Sequence, residues 1–493
     1  MPPFPRSRCQ AFLSRLSIVV ALSPLLAGCT ADPSQFLPHV TSLGGAVMAN
    51  PQLVTITFAN DDARPALEAY AQWIVHSQWL AAVGAEYGIG SGSVLGVSER
   101  TDNAPVRITD DEIVSLIAAG IADGSIPQPA NHDLSNVLFA IHFPASSTVL
   151  LSNAQHSAQS CLSFLGYHDS ARRNGIEFSY AVVIDCPGSG VILDDLQTRE
   201  LALSHEFIEA ATDPLPGPNP AFRIDDRTNA WSAVGGEVGD LCITSEGLSV
   251  WNEGDFVAQR SWSNRAALNH SDPCVPSLPQ SVYYTVVPTP RALQRVLPGE
   301  TLHYSLRGWS TGTIGNWSLS AELVAPFMPI ITVSNAIMND GRTSTLDITI
   351  PITATPGPSV LFLKSSFSET EFRTWPLVVV VGGACASFTD CASCTRSFGC
   401  GWCGTSGRCE IAAATGSADS MCRGADWLLT ATMCDNGCAS HGASCTECAS
   451  QEGCGWCATS TGNHCLATSD DSATSRDGSC SGAAWSGQQS YCP

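Results

Sequence analysis

The spacing of hydrophobic residues along the chain predicts a region that mixes helices and strands. Apolar side chains recur every three or four positions over residues 63–87 and again over 113–121, which is the periodicity of a helix with one buried face. Continuous apolar runs predict buried strands at 53–58, 137–143 and 179–184. Residues 40–276 therefore have the organisation and the size of one α+β domain.

The hydrophobic pattern changes after the proline-containing segment 276–279. Between 281 and 381 the helical periodicity is absent, and alternating or β-rich runs are separated by turn residues. These runs lie at 283–287, 302–306, 317–320, 346–350 and 360–363. The pattern predicts an antiparallel β-sandwich, immunoglobulin-like in type. Because the runs contain no convergent set of acids, bases or ligands, we expect this domain to act as a spacer.

The end of the chain is dominated by cysteine. Sixteen cysteines fall in the last 109 residues as two copies of an eight-cysteine pattern, each containing Gly-Cys-Gly-Trp-Cys. Their C-x-x-C pairs also occur in zinc ribbons, but an even count, a tandem repeat and the lack of histidine in the ligand positions favour disulfides. Disulfides persist outside the reducing cytosol, so the sequence predicts an exported protein.

Both copies, at 384–435 and 437–493, resemble the plexin–semaphorin–integrin (PSI) module. The resemblance implies that the first cysteine pairs with the fourth, the second with the eighth, the third with the sixth and the fifth with the seventh. The implied pairs are Cys385–Cys400, Cys391–Cys434, Cys394–Cys409, Cys403–Cys422, Cys438–Cys454, Cys445–Cys492, Cys448–Cys465 and Cys457–Cys480. It also implies modules that position other domains or bind a protein or cell-wall partner, and that do not catalyse.

The N-terminus has the features of an export signal. A basic stretch precedes the apolar residues 16–26, which are too few to span a bilayer comfortably. They end in a Leu-Ala-Gly-Cys sequence at Cys29 that resembles a bacterial lipobox. The resemblance implies a signal peptide at 1–28, acylation of Cys29 by fatty acids such as palmitate, and a tether at 29–39. The protein would then be lipid-anchored in the bacterial cell envelope, at the outer membrane or the cell surface. A plain signal peptide or an uncleaved anchor is the alternative.

The formal net charge of −22 argues against one class of partner. No cluster of lysine or arginine offsets the acidic excess, and such a surface repels a phosphate backbone, so we expect no binding to nucleic acid. Charged residues make up 14% of the chain and hydrophobic residues 44%, which indicates a globular protein.

A segment that ends at Pro214 carries the strongest candidate chemistry. It is rich in helix formers, and the proline ends the helix at or just before Asp213. His205 and Glu209 lie four positions apart on one face, as in the zinc-binding H-E-x-x-H arrangement, and Glu206 occupies the position of the general base. Here a carboxylate replaces the second histidine. Carboxylate oxygen can bind zinc but also suits Ca²⁺ or Mn²⁺, and a hydrogen-bonded histidine beside a solvated acidic face is the simpler explanation.

A glycine-rich loop downstream supplies further candidates. It contains two carboxylates, Glu237 and Asp240, three positions apart and close to Cys242. Gluzincin peptidases often take a third ligand from a downstream glutamate, with a nearby aspartate that orients a ligand histidine. By that likeness we expect Glu237 as third zinc ligand and Asp240 as partner of His205. A glycine-rich turn that binds a Ca²⁺-like ion, or that only forms hydrogen bonds, is the alternative.

The motifs taken together resemble a known family. Ser-His-Glu-x-x-Glu-Ala-x-Thr-Asp-Pro at 204–214, Ala-Trp at 230–231, Glu-Val-Gly-Asp-Leu-Cys at 237–242 and Gly-Tyr-His at 166–168 are similar to segments of the phosphate-induced, Exordium-like proteins of plant cell walls and their bacterial relatives. The resemblance covers about residues 40–276. It implies a zincin-like head with metallopeptidase-like residues and no assigned reaction. His168 and Asp213 become alternative ligands or ligand partners, and a core or loop histidine is the other interpretation of His168.

Two functional hypotheses follow. The first is a surface-anchored, zinc-dependent, peptidase-like hydrolase with His205, Glu209 and Glu237 as ligands and Glu206 as base. The second is a non-catalytic cell-surface or cell-wall interaction protein whose site binds a structural cation or a ligand. The four cysteines of the same region imply two disulfides, and proximity along the chain predicts Cys161–Cys186 and Cys242–Cys274.

Overall fold

The structure is a computed structural model that describes residues 37–381 and part of the tail. The gaps before residue 381 are 153–156, 217–218, 225–228, 280, 325–328 and 355–356. In the tail the described residues are 385–396, 400–413, 416–417, 422, 427–428, 434, 438, 444–451, 454–459, 462–467, 475, 479–481, 484–486 and 492. The predicted signal peptide, Cys29 and most of the tether lie outside the described residues.

A five-stranded sheet forms the centre of the first half of the chain. Its order is β2-β1-β3-β5-β4; all neighbours are parallel except β4, which pairs antiparallel with β5 at the edge. Strands β1, β3 and β5 contain the three predicted apolar runs, which are apolar because both faces of the sheet are buried. The strands are β1 (Gln52–Thr57), β2 (Ser93–Glu99), β3 (Val137–Phe143), β4 (Gly166–Arg173) and β5 (Ile176–Ile184).

Helices cover both faces of this sheet: α1 (Arg64–Ile74), α2 (Gln78–Gly84), α3 (Asp110–Asp123) and α4 (Asp195–Thr212). On one face α4 buries Leu203 and Phe207 in a cluster with residues of β3 and β5, and α3 packs against the other face. The single helix predicted over 63–87 is two helices. The break occurs because the Ser77 side chain accepts a hydrogen bond from the Leu80 amide and caps the start of α2.

Short elements complete this region. Small sheets pair Thr41–Ser42 with Phe222–Arg223, Val250–Glu253 with Phe256–Gln259, and Ser261–Trp262 with Cys274–Val275. A three-stranded sheet contains Arg107–Thr109, Thr148–Ser152 and Ser157–Gln159. Short helices are Ala230–Val234, Asp240–Cys242, Glu246–Ser249 and Asn264–Leu268.

The next region consists of two sheets, ordered β6-β8-β12-β10 and β7-β14-β13-β9-β11. The five runs predicted from the sequence lie in β6, β8, β9, β12 and β13. Buried residues from both sheets belong to one hydrophobic cluster. The strands are β6 (Tyr284–Thr289), β7 (Gln294–Val296), β8 (Thr301–Ser310), β9 (Trp317–Val324), β10 (Ile330–Val333), β11 (Ile337–Met338), β12 (Thr343–Thr349), β13 (Gly357–Ser366) and β14 (Phe372–Val381).

This two-sheet region packs directly against the first half of the chain, which differs from the spacer expected from the sequence. The hydrophobic cluster between its sheets continues into the first region, and the ring centroids of Trp231 and Trp375 lie 5.6 Å apart. The buried Asp272 carboxylate accepts hydrogen bonds from Arg260 of the first region and from Arg373 of β14. The two regions therefore share one core.

The tail is stabilised by disulfides, as predicted. All twenty cysteines within the described residues form ten disulfides. In the tail they join 385 to 400, 391 to 434, 394 to 409, 403 to 422, 438 to 454, 445 to 492, 448 to 465 and 457 to 480. Such bonding is consistent with cysteine-rich modules and indicates an extracellular or surface protein.

The described tail elements are short. They are Cys385–Ser387, Cys391–Arg396, Cys400–Cys403, Arg408–Ala413, Gly416–Ser417, Trp427–Leu428, Cys445–Ala449, Cys454–Thr459, Gly462–Ala467 and Trp485–Ser486. Across all the described residues the fold is mostly β with some helices, in several sheets. Among those residues, none of the helices has both the length and the apolar composition needed to cross a bilayer.

Candidate functional site

Helix α4 positions three candidate residues. Asp194 caps its start, with reciprocal hydrogen bonds between the Asp194 and Gln197 side chains and the backbone. The helix ends at Thr212, as the following proline predicts. His205, Glu206 and Glu209 lie on its last two turns, and their side chains are largely buried.

Two other elements bring residues to the same place. The edge strand β4 places His168 against α4, at 3.4 Å from Glu206 and 3.7 Å from Glu209. The glycine-rich loop and its short helix Asp240–Cys242 bring Glu237 next to His168 and Asp240 next to His205. The Cys242–Cys274 disulfide ties this loop to the strand Cys274–Val275. The structure thus brings together side chains that lie up to 72 residues apart in the sequence, from His168 to Asp240.

The side chains form two groups of possible metal ligands that share Glu209. Ligand atoms of His205, Glu209 and Asp240 all lie within 4.8 Å of one another, and so do those of His168, Glu206 and Glu209. In the first group His205 Nε2 lies 3.1 Å from Glu209 Oε2 and 3.9 Å from Asp240 Oδ1. In the second, His168 Nδ1 faces the two glutamates of the helix.

The Glu209 carboxylate has two different sides. Its Oε1 atom accepts hydrogen bonds from the backbone amides of Gly239 and Asp240, both at 3.0 Å. Its Oε2 atom faces His205 and His168. The loop amides therefore fix the orientation of the side chain and leave one oxygen for a cation or a protonated imidazole.

The two ring nitrogens of His205 have different partners. His205 Nδ1 lies 3.2 Å from Gln259 Oε1, so Nε2 is the atom directed at Glu209 and Asp240. The second oxygen of Asp240 accepts a hydrogen bond from the Glu237 amide at 3.1 Å. Both ligand candidates thus have one atom held by the protein and another directed into the cluster.

Burial and neighbouring carboxylates shift the pKa values of the residues in the cluster. Burial acts to lower the pKa of His168, but Glu237, Glu206 and Glu209 raise it to about 10. Burial likewise acts to lower the pKa of His205, but Glu209 and Glu206 raise it well above its ordinary value. Burial raises the pKa of Asp240 to about 8, and Glu209 adds to this effect. The cluster therefore needs positive charge, which protons or a metal ion can supply.

Buried polar atoms without hydrogen-bond partners lie beside these ligand groups. Among the described residues, His168 Nε2, Glu237 Oε1 and Asp213 Oδ2 are buried without a hydrogen-bond partner. Buried polar atoms normally have partners, because leaving one unpaired costs roughly 1–3 kcal/mol. A set of two imidazoles and several carboxylates is also a donor set that zinc accepts. These residues fit a bound metal ion.

The predicted site residues differ in how they enter the cluster. Glu237 lies outside both groups; its Oε1 is 3.9 Å from His168 Nε2. Asp213 accepts a hydrogen bond from the Ala221 amide at 2.7 Å and so stabilises the turn after α4. His168 is buried within the cluster. Gln259, which lies in a Gln-Arg-Ser-Trp segment at 259–262, was not predicted from the sequence as a site residue.

Comparisons with known proteins do not identify a family for this chain. No protein-family model and no curated protein matches the chain. Domains 4 and 5 of the S-layer protein SbsC match with 12% identity over 21% of this chain and 54% of that one, at a TM-score of 0.17. The periplasmic chaperone SfaE matches with 8% identity over 20% of this chain and 56% of that one, at 0.16.

The M3 domain of titin matches with 11% identity over 21% of this chain and 97% of that one, at a TM-score of 0.15. The chain spans about half the length of the first S-layer fragment and 14% of a longer structure of the same protein. At these TM-scores the matches assign neither a fold nor a function.

Proposed function

We propose that the chain is a zinc-dependent, peptidase-like hydrolase of the cell surface. The observation that carries the proposal is the meeting of two histidines and four carboxylates, Glu209 among them. A bound zinc ion supplies Lewis acidity toward a carbonyl and toward water. We further propose a zincin-like head, an immunoglobulin-like middle region and PSI-like tail modules.

His205, Glu209 and Asp240 are the proposed ligands. For zinc–ligand bonds of 2.0–2.1 Å, a tetrahedral site separates its ligand atoms by roughly 3.3–3.4 Å. The separations of 3.1 and 3.9 Å from His205 Nε2 lie on either side of that value. This assignment replaces Glu237 by Asp240 as the ligand from the loop.

Glu206 is the proposed general base. It follows His205 directly on α4, and its Oε2 lies 3.4 Å from His168 Nδ1. In this role Glu206 takes a proton from the attacking water and passes it to the leaving group, and His168 holds the carboxylate in place.

A structural cation site is the second candidate, and one observation favours it. The exposed fraction of the six side chains ranges from 4% for Glu209 and His168 to 17% for Glu237. A peptide substrate would have to reach groups that are almost closed to solvent. In this case the chain is a non-catalytic surface or cell-wall interaction protein.

The metal content of the purified full-length chain and its hydrolysis of peptides distinguish the hydrolase from the structural cation site. We expect one zinc per chain by elemental analysis, its loss in His205→Ala, and normal content in His303→Ala, a control histidine that is exposed on β8. Glu206→Gln should keep the zinc and lower hydrolysis of a peptide library by about 10²–10⁴-fold, since glutamine cannot take a proton. Zinc without any hydrolysis by the wild type would favour the structural cation. A wild type that binds no transition metal and cleaves no peptide would contradict the hydrolase and favour the interaction protein. A wild type that binds no metal ion at all, Ca²⁺ included, would contradict the metal site in both versions.

Anchoring of the protein through acylated Cys29 is part of the proposal. We expect the Cys29→Ser variant to be absent from the membrane fraction or to accumulate as unprocessed precursor, because it lacks the thiol that carries the lipid. Unchanged processing and unchanged membrane partition of the variant would contradict a lipoprotein. The tail modules are then free to bind a protein or cell-wall partner outside the cell.

A further inference from the structure

Gln259 connects the helix and the loop that carry the proposed ligands. It ends the strand Phe256–Gln259 and is buried. Its side-chain amide lies between two partners: Nε2 donates a hydrogen bond to the Gly239 carbonyl at 2.8 Å, and Oε1 lies 3.2 Å from His205 Nδ1.

The orientation of this amide follows from the chemistry of its partners. A carbonyl can only accept a hydrogen bond, so the atom that faces Gly239 must be the NH₂ group. The oxygen therefore faces His205 Nδ1, which must donate. The Gln259 backbone is held as well, since its amide donates to Ser204 Oγ at 2.8 Å and its carbonyl accepts from the Trp79 indole at 2.6 Å.

We propose that Gln259 is a positioning residue that keeps a proton on His205 Nδ1 and so presents Nε2 as a metal ligand. This inference rests on the proposed function, because it concerns the ligand set of the same site. A ring nitrogen that donates to a fixed acceptor determines which tautomer is present and makes the other nitrogen more basic.

The same amide also orients a second ligand. By holding the Gly239 carbonyl it fixes the loop whose backbone amides bind Glu209 Oε1. One side chain thus aligns an imidazole from α4 and, through the loop, a carboxylate from the same helix. The side chain that makes this connection is neutral. A carboxylate at the same position would add to the negative charge of the cluster.

Two substitutions separate the effect on His205 from the effect on the loop. Gln259→Met keeps the size of the side chain but can neither accept from His205 nor donate to Gly239. Gln259→Glu can accept from His205 but, as a carboxylate, cannot donate to Gly239. We expect the full-length Met variant, which loses both bonds, to bind zinc about 10–100-fold more weakly than the wild type, and the Glu variant, which loses only the bond to Gly239, to be weakened by less. Equal weakening in both variants would mean that Gln259 only supports the loop.

A spectroscopic measurement excludes a general effect of the added charge. In full-length protein labelled with ¹⁵N-histidine, and with signals assigned by His205→Ala, the zinc-loaded wild type should show a proton on Nδ1 in slow exchange with water. We expect this signal to persist in the Glu variant and to be lost in the Met variant. Its persistence in a folded Met variant would overturn the inference.

The metal-free wild type distinguishes failure of the inference from failure of the proposed function. If the wild type binds no zinc but its Nδ1 proton is protected in a Gln259-dependent way, the metal site is wrong and the contact stands. If zinc binds and the wild type shows no such proton, the metal site stands and the inference is wrong. Thermal unfolding of each variant checks that it is folded. If the Met variant is not folded, the Nδ1 proton signal of the Glu variant supplies the test, because its loss would contradict the inference.

Discussion

Gly239 lies where the site has no room for a side chain. A Cβ atom built on it would be 2.7 Å from Glu209 Oε1, 2.7 Å from His205 Nδ1 and 2.9 Å from His205 Cε1. At distances this short the neighbouring side chains would have to move, and a close-packed interior leaves little room for them to do so. The glycine therefore allows the loop backbone to approach both proposed ligands, so that its amide can bind Glu209.

We predict that Gly239→Ala lowers zinc affinity by about 10-fold or more, because the new methyl group displaces the imidazole and the carboxylate from their common position. Isothermal titration of the full-length variant measures the change. Gly315→Ala is the matched control, since nothing lies within 4 Å of a Cβ at that glycine. A Gly239→Ala protein with wild-type zinc affinity would show that the loop does not need this close approach.

The residues of the site differ in how far the sequence could identify them. The helical spacing of His205 and Glu209 needs only the geometry of one helix, so it was evident from the chain alone. His168 lies on β4 and Gln259 on the strand Phe256–Gln259. No local sequence pattern predicts that these two strands lie next to α4. The proposed exchange of roles between Glu237 and Asp240 depends on the fold of the loop, in which the Glu237 amide donates to Asp240.

At the scale of elements, the loop that carries Asp240 is held by a disulfide and by hydrogen bonds to other strands. The short helix Asp240–Cys242 ends in the disulfide to Cys274, which closes a segment of 32 residues. The following residues Thr244 and Ser245 bind the Phe372 carbonyl of β14. The loop is therefore positioned by a covalent link on one side and by the two-sheet region on the other.

We predict that the double variant Cys242→Ser/Cys274→Ser loses about 3–4 kcal/mol of unfolding free energy, the chain-entropy value for a segment of this length. Zinc affinity should fall as well, because Asp240 and the amides that bind Glu209 lie next to Cys242. Urea unfolding and zinc titration give the two quantities. Cys457→Ser/Cys480→Ser serves as control, since it removes a disulfide of the tail and should leave zinc affinity unchanged. An unaltered affinity in the first variant would show that the loop is positioned without the disulfide.

Prediction of elements from the sequence succeeded where burial alone decides. The strands β1, β3 and β5 are largely apolar because they lie inside a sheet covered on both faces. The break between α1 and α2 was missed, because hydrophobic spacing continues through it and only the capping hydrogen bond of Ser77 interrupts the helix. The edge strand β4 was missed because most of its residues are charged or polar, and only Ser170 and Ala171 in it are completely buried.

At the scale of the whole molecule, the buried carboxylate of Asp272 joins the two regions. It accepts from Arg260 at 2.8 Å and from Arg373 at 2.9 Å, and its other oxygen accepts from the Cys274 amide. Burial alone would raise the pKa of Asp272, but Arg373 and Arg260 lower it below the ordinary value. Because the pKa is lower in the folded state, the group contributes stability above about pH 4, and this stability is lost as the pH falls through the folded pKa.

We predict that Asp272→Asn lowers the unfolding free energy at pH 7 by about 3–5 kcal/mol, since two guanidinium groups then lack their buried partner. The variant should also lose less stability than the wild type between pH 5 and pH 3, since the titrating group is gone. Urea unfolding at the two pH values measures both effects. Asp347→Asn, on the exposed side of β12, is the control and should change neither. An Asp272→Asn protein with the acid sensitivity of the wild type would contradict this assignment.

The composition of the chain changes at 276–279, but the shared core does not end there. A fragment that stops at residue 276 would expose Trp231 where Trp375 now covers it, and would leave Asp272 with Arg260 but without Arg373. It would also remove the carbonyl that holds Thr244 and Ser245 beside the candidate metal centre. Truncation at this apparent boundary therefore cuts through a folded unit, so loss of metal binding by such a fragment would report on the missing half of the core and not on the ligands themselves.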